Sequence, residues 1–321
     1  MGLFEEQKAR KPNKYIWTKD FIKAVHNSFW TADEFDFRSD VSQFHSVIGN
    51  QEQEVITRTL ASIGQVEIAV KRFWANLGDN LPHPSIYDLG YVMANTEVIH
   101  NEAYEKLLDV LGLGHIFELH LQNPVLEGRM NYLRKYLQRY SEDERQQFIY
   151  SIILFTLFIE NVSLFSQFYI LLWFNRTKNY LKDTAQQIQY TRNEEMLHAL
   201  AGTQVINTLR AEYPELFTAE LEERVREEAN VALVQEAKLI DWIMQDYDQT
   251  DGLNAWSLMR FVGSRIDDSL KMIGFEPIWN EPAPPETNWF NEELFGYNLT
   301  DFFAKKPVDY SKRDKNYDNI F

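Results

Sequence analysis

Two short motifs carry the side chains best suited to chemistry, Glu97-Val98-Ile99-His100 and Glu195-Met196-Leu197-His198. In each, a carboxylate and an imidazole stand three residues apart, so on a helix both project from one face. Two such Glu-x-x-His turns on two helices make half of a cage for two metal ions. The other half is one glutamate from each of two further helices of a four-helix bundle. Glu67 and Glu160 are the candidates.

Glu160 is the sharpest of these, because it is the only charge between Arg145 and Arg176. A lone carboxylate in apolar surroundings is costly or becomes protonated. A bound metal removes that penalty; an arginine partner is the plainer alternative. Glu67 has Lys71 four residues on and could be half of an exposed ion pair, but the cage needs a fourth carboxylate. Four glutamates and two histidines suit iron or manganese, and the absence of thiolate argues against copper(I) or structural zinc. Tyr104, four residues after His100, shares its helix face. It is either within reach of oxidation by the metals or an ordinary core tyrosine.

These residues need long helices, and the sequence supplies them. The ten prolines leave long gaps between them, and proline is what breaks a helix interior. The patterning is all-α. Helices are expected over 19–29, 50–77 (carrying Glu67), from Ser85 past Tyr104, within 115–140, from Ser141 through Glu160, and over 179–211, 218–244 and 253–273. Ser85 with Asp88, and Ser141 with Glu144, look like capping boxes. Val98, Ile99, Met196 and Leu197 beside the two motifs argue that those faces look inward. Phe148–Phe174 is apolar enough to resemble a membrane span. Glu160, Asn161, Gln167 and four hydroxyl residues interrupt it, so the centre of a large bundle is the expected place. Residues 1–299 read as one helical domain and 300–321 as a mobile tail.

Composition narrows the classes further. The chain has 321 residues, 45% hydrophobic, and a formal charge of −16. No clustered basic face marks a nucleic-acid partner. There is no cysteine, so disulfides and thiol chemistry on this chain are excluded. The start has no basic-then-apolar signal pattern, and the cytoplasm is expected.

Taken together, Trp30 in Phe-Trp-Thr-Ala-Asp-Glu, Glu67, Glu97-x-x-His100-x-x-x-Tyr104, Glu160 with Phe168, Glu194-Glu195-x-x-His198, Phe261-Val262-Gly263 ahead of Ile273-Gly274, and a tail with Tyr310 and terminal Phe321 make the chain resemble the small (β) subunit of class I ribonucleotide reductase. The resemblance implies a ferritin-like four-helix core with additional helices, a dinuclear metal site, and a homodimer. It implies an electron hole passed to a large (α) subunit that makes deoxyribonucleotides. Trp30, Glu194 and His100 would begin that relay, Tyr310 would continue it, and Tyr317–Phe321 would dock the partner. Glu194 stands where aspartate is commoner. Glu67 in the first ligand position, and Leu164 where phenylalanine is frequent, make the chain look most like the glutamate-first subgroup, class Id. That implies two manganese ions, with two iron ions plus a Tyr104 radical, or a mixed Mn/Fe pair, as alternatives. The rival functions are a self-sufficient oxidase or desaturase-like enzyme on the same cage, and a ferritin-type metal store.

Overall fold

The computed structural model describes residues 2–120 and 122–301; the side chains of Gln65, Glu67, Ile68, Ala69 and residues 295–301 are outside that description. The described residues form helices and no strand. We label the main ones α1 (Thr18–Asn27), α2 (Arg38–Ser46), α3 (Asn50–Ala75), α4 (Pro84–Val110), α5 (Pro124–Leu133), α6 (Glu144–Leu154), α7 (Phe165–Lys178), α8 (Lys182–Glu212), α9 (Ala219–Met244), α10 (Ala255–Met272) and α11 (Asn288–Asp301).

The core is a bundle of α3, α4, α8 and the long rod from α6 to α7. That rod is the span apolar enough to cross a membrane by length and composition, and 94% of its most apolar window is buried inside the protein. The hydrophobic effect therefore has an internal use for it: Ile152, Phe155, Phe168 and Ile170 are all fully buried. Helices α9 and α10 pack together outside it.

Two glycines set how closely the rods approach. A Cβ at Gly90 of α4 would stand 2.4 Å from the Trp74 carbonyl oxygen on α3. A Cβ at Gly202 of α8 would stand 2.3 Å from Thr156 Oγ1. These are the crossings that hold the ligand-bearing helices together.

Between α6 and α7 the rod widens into a π-helix, Phe155–Ser163, with Glu160 in it. Sequence patterning gives no sign of this, because the apolar run is continuous. A π-turn disturbs the regular backbone ladder, and two buried guanidiniums attend to its carbonyls. Arg265 Nε donates to Asn161 O at 2.8 Å, and Arg129 donates to Ser163 O and, at 2.6 Å, to Ser62 O.

Most expected helices are present within a few residues, but both capping boxes are misplaced. Pro84 begins α4, and the His83 imidazole accepts the Ser85 N–H at 3.1 Å, so His83 is the cap. Asp143 caps α6 by accepting the Arg145 N–H at 2.9 Å. In each case a group two residues from the serine takes the cap: His83, just ahead of Pro84, and Asp143. The expected tail, with Tyr310 and Phe321, lies outside the described residues.

An exposed helical Gly→Ala change stabilises by up to about 1 kcal/mol. Gly90→Ala should instead destabilise by about 1–3 kcal/mol, because the methyl group meets backbone. Thermal unfolding checks this; a raised Tm would contradict the close approach.

Candidate metal centre

Glu97 and His100 project from α4, Glu195 and His198 from α8, and Glu160 from the π-helix. All five are buried, with Glu195 the most accessible at 2%. One ligand atom each from Glu97, Glu160, Glu195 and His198 falls within a 4.8 Å cluster. His100 joins it, with Nδ1 3.1 Å from Glu195 Oε1 and 3.4 Å from Glu97 Oε2. The expected inward faces are thus confirmed for Ile99, Met196 and Leu197, but Val98 is 41% exposed. It sits on the far side of α4 from the cluster, as its position between Glu97 and Ile99 requires.

Hydrogen bonds on the outer edge of each imidazole fix which nitrogen looks inward. The Thr96 hydroxyl donates to Met93 O at 2.7 Å, so its lone pair is left to accept from His198 Nε2–H, also at 2.7 Å. His100 Nε2 lies 2.8 Å from Glu194 Oε2, which can only accept. Both rings therefore donate from Nε2 and turn Nδ1 toward carboxylates, where that nitrogen either shares a proton with them or offers its lone pair to a cation. His198 Nδ1 has Glu97 Oε1 at 2.8 Å, Glu160 Oε2 at 3.3 Å and Glu195 Oε2 at 3.6 Å around it.

Lone pairs facing anions in a dry interior repel strongly. A cation has to lie between them, either protons or metal. The titration behaviour says the same. Burial depresses His198, but the charge of Glu97 and bonds to Glu160, Glu195 and Glu97 outweigh it, and the ring is held well above its ordinary value. Burial and then the charge of Glu195 push Glu160 well above the carboxylate range. Burial raises Glu195 too, but bonds from His100 and His198 prevail and it ends below that range. The donor set fits hard or borderline divalent ions held by oxygen and imidazole.

Two orienting residues were not anticipated. Trp74 Nε1 donates to Glu160 Oε1 at 2.7 Å, and Thr96 holds His198. Trp74 follows Glu67 by seven residues, two turns along α3, and Thr96 adjoins Glu97; those spacings were the available signals. The described partners of Glu160 are Trp74 and His198, so the arginine alternative is not what the fold uses. Glu67 lies on α3, and its side chain is outside the description. Tyr104 is buried on α4, at 2% exposure.

On the other side of His100 stands Trp30. Its Nε1 donates to Glu194 Oε2 at 2.8 Å, the same oxygen that His100 holds. The indole also lies over the His100 ring, with centroids 6.1 Å apart and 25° between planes.

A helical bundle with a buried carboxylate–imidazole cluster at its centre defines a ferritin-like protein with a dinuclear metal site. The sequence profile of the ribonucleotide reductase small chain family matches residues 8–288, and the chain belongs to that family, an oxidoreductase component. It is 22% identical over 317 residues to the ribonucleoside-diphosphate reductase subunit beta of Halalkalibacterium halodurans, covering 96% of this chain and 90% of that one. The ribonucleotide reductase R2 subunit of Clostridium botulinum superposes with a TM-score of 0.80 at 19% identity, over 92% of this chain and 94% of that one. The dimanganese(II) NrdF of Streptococcus sanguinis does so at 0.71 and 14%, over 89% and 99%.

Removing an orienting hydrogen-bond partner leaves the ligand but loosens its aim, typically a 10–100-fold loss of affinity. Trp74→Phe and Thr96→Val should each weaken Mn(II) or Fe(II) binding by roughly that factor without loss of helix content. Metal titration with circular dichroism checks this, and unchanged affinity in both variants would contradict the orienting roles.

Proposed function

We propose that this chain is the radical-generating β subunit of a ribonucleoside-diphosphate reductase, carrying two manganese ions and passing an electron hole to a separate large (α) subunit. One atom carries the reading. Glu194 Oε2 accepts from both Trp30 and His100, at 2.8 Å each, and so joins a redox-active indole to an imidazole that faces the cluster.

Glu67, Glu97, His100, Glu160, Glu195 and His198 would hold the two ions. When bound, the metal pair supplies a redox centre able to keep an oxidising equivalent in a dry interior. The chain's own residues do the rest. Buried aliphatic and aromatic side chains of α4 and α7 screen the cluster from bulk water. Loss of an electron from Trp30 makes its Nε1–H more acidic, and Glu194 Oε2 is placed to take that proton and give it back. Trp30 itself is fully buried against Phe35 and Tyr190, which limits side reactions of an oxidised ring.

Manganese is favoured over iron by the family resemblance carried by Leu164 and the glutamate at position 67, and by the dimanganese(II) state named for the streptococcal relative of the same fold. Two iron ions with a Tyr104 radical, or a mixed Mn/Fe pair, is the alternative. Tyr310 would continue the relay, and the C-terminal segment ending at Phe321 would bind the large subunit. We place the protein in the cytoplasm as a homodimer, with no nucleic-acid or membrane partner.

Trp30→Phe should take up and oxidise metal normally yet reduce deoxynucleotide formation with a matching large subunit by several orders of magnitude. Full turnover by this variant would refute the relay.

Tyr104→Phe separates the metal assignments. Turnover and the electron paramagnetic resonance signal should persist if the oxidising equivalent stays on manganese. Loss of both would move the assignment to a diiron–tyrosyl centre.

A further inference from the structure

The inward face of α8 is polar on one side of the metal cluster only. Thr184, Gln187 and Thr191 follow one another at spacings of three and four, and Glu194, Glu195 and His198 continue the same stripe. Beyond His198 the face turns to Gly202, Val205 and Leu209. Thr184 is 1% exposed, and Gln187 and Thr191 are wholly buried. Yet Thr184 Oγ1, both Gln187 amide atoms and Thr191 Oγ1 have no hydrogen-bond partner among the described residues. Glu194 Oε1, at the inner end, has none either.

Helix propensity does not explain this run. Buried polar atoms are almost always paired, with protein or with ordered water, and an amide unpaired at both ends is especially unfavourable. Four such atoms on three consecutive positions of one stripe need a shared partner. Sites that are polar hold water, whereas apolar cavities stay dry. The stripe also has an outer end. It begins in the first turn of α8, where Asp40 accepts the Thr184 N–H at 2.7 Å and the Asp183 N–H at 3.3 Å. Lys182 and Gln186, on the opposite face of the same turns, are exposed to solvent, so this end of α8 lies near the surface.

We propose that a file of internal water runs along this face of α8 for about 15 Å, from Thr184 past Gln187 and Thr191 to Glu194 Oε1. It is the solvent route to the junction of Trp30, Glu194 and His100. Its role as a supply line to a metal site rests on the function proposed above; the water itself does not.

Two buried indoles provide an internal comparison. Trp30 Nε1–H is bonded to Glu194, at the end of the file, and Trp74 Nε1–H is bonded to Glu160. Both rings are 0% exposed. With 15N-labelled tryptophan in the full-length protein, exchange of each indole proton is followed after transfer to D2O, with and without Mn(II). Trp30 should exchange roughly tenfold or more faster than Trp74. In Gln187→Leu/Thr191→Val the Trp30 rate should fall toward that of Trp74, whose own rate stays unchanged. If Trp30 exchanges no faster than Trp74 in the unaltered protein, or if the double variant leaves the ratio as it was, the water file is wrong. Should the double variant not fold, the comparison within the unaltered protein decides alone. The measurement does not require metal, so failure of the protein to bind manganese would strike the proposed function and leave this inference standing.

Discussion

Two imidazole Nδ1 atoms are turned toward three buried carboxylates, and among the described residues no lysine or arginine pairs with those carboxylates. That imbalance is the constraint the rest of the fold depends on. Such a cluster is unstable as a bare arrangement of side chains in a low-dielectric core. It persists because four separate rods are packed too tightly to let it relax, and because hydrogen-bond partners behind it hold each ring and carboxylate in place. Thr96 behind His198, Glu194 behind His100 and Trp74 behind Glu160 each fix one ligand. A bound cation would complete the charge balance, so metal binding would stabilise the packed core.

One of these outer partners also connects the cluster to Trp30. Glu194 both orients His100 and accepts from Trp30, so the group that orients a ligand is also the first member of the relay proposed above. The π-helix serves a parallel purpose. It puts Glu160 at the cluster from within an otherwise continuous apolar rod, and Arg129 and Arg265 hold the carbonyls of the widened turn. Gly90 and Gly202 let the neighbouring rods come close enough for these bonds to form.

Much of this was legible in the residues. Glu-x-x-His twice, one isolated glutamate in an apolar run, and helical spacing were enough to bring Glu97, His100, Glu160, Glu195 and His198 to one place, because period and burial act locally. Val98 was misjudged, since an apolar neighbour of a ligand points a hundred degrees away from it round the helix. The caps were misjudged because Ser85 and Ser141 each compete with a better-placed group, His83 before Pro84 and Asp143. The π-turn, and the roles of Trp74, Thr96, Arg129 and Arg265, depend on contacts between distant segments, which no local pattern records. Trp30 and Glu194, 164 residues apart, were paired only through family resemblance.

The central claim is that paired metal ions neutralise this cluster. Anomalous diffraction at the manganese and iron edges, from crystals of protein loaded with each metal, tests it most directly. The account predicts two peaks inside the bundle, one bonded to His100 Nδ1 and the other to His198 Nδ1, with Glu97, Glu160 and Glu195 around them. A single peak, or density confined to the acidic surface while the two imidazoles remain hydrogen-bonded to carboxylates, would contradict it.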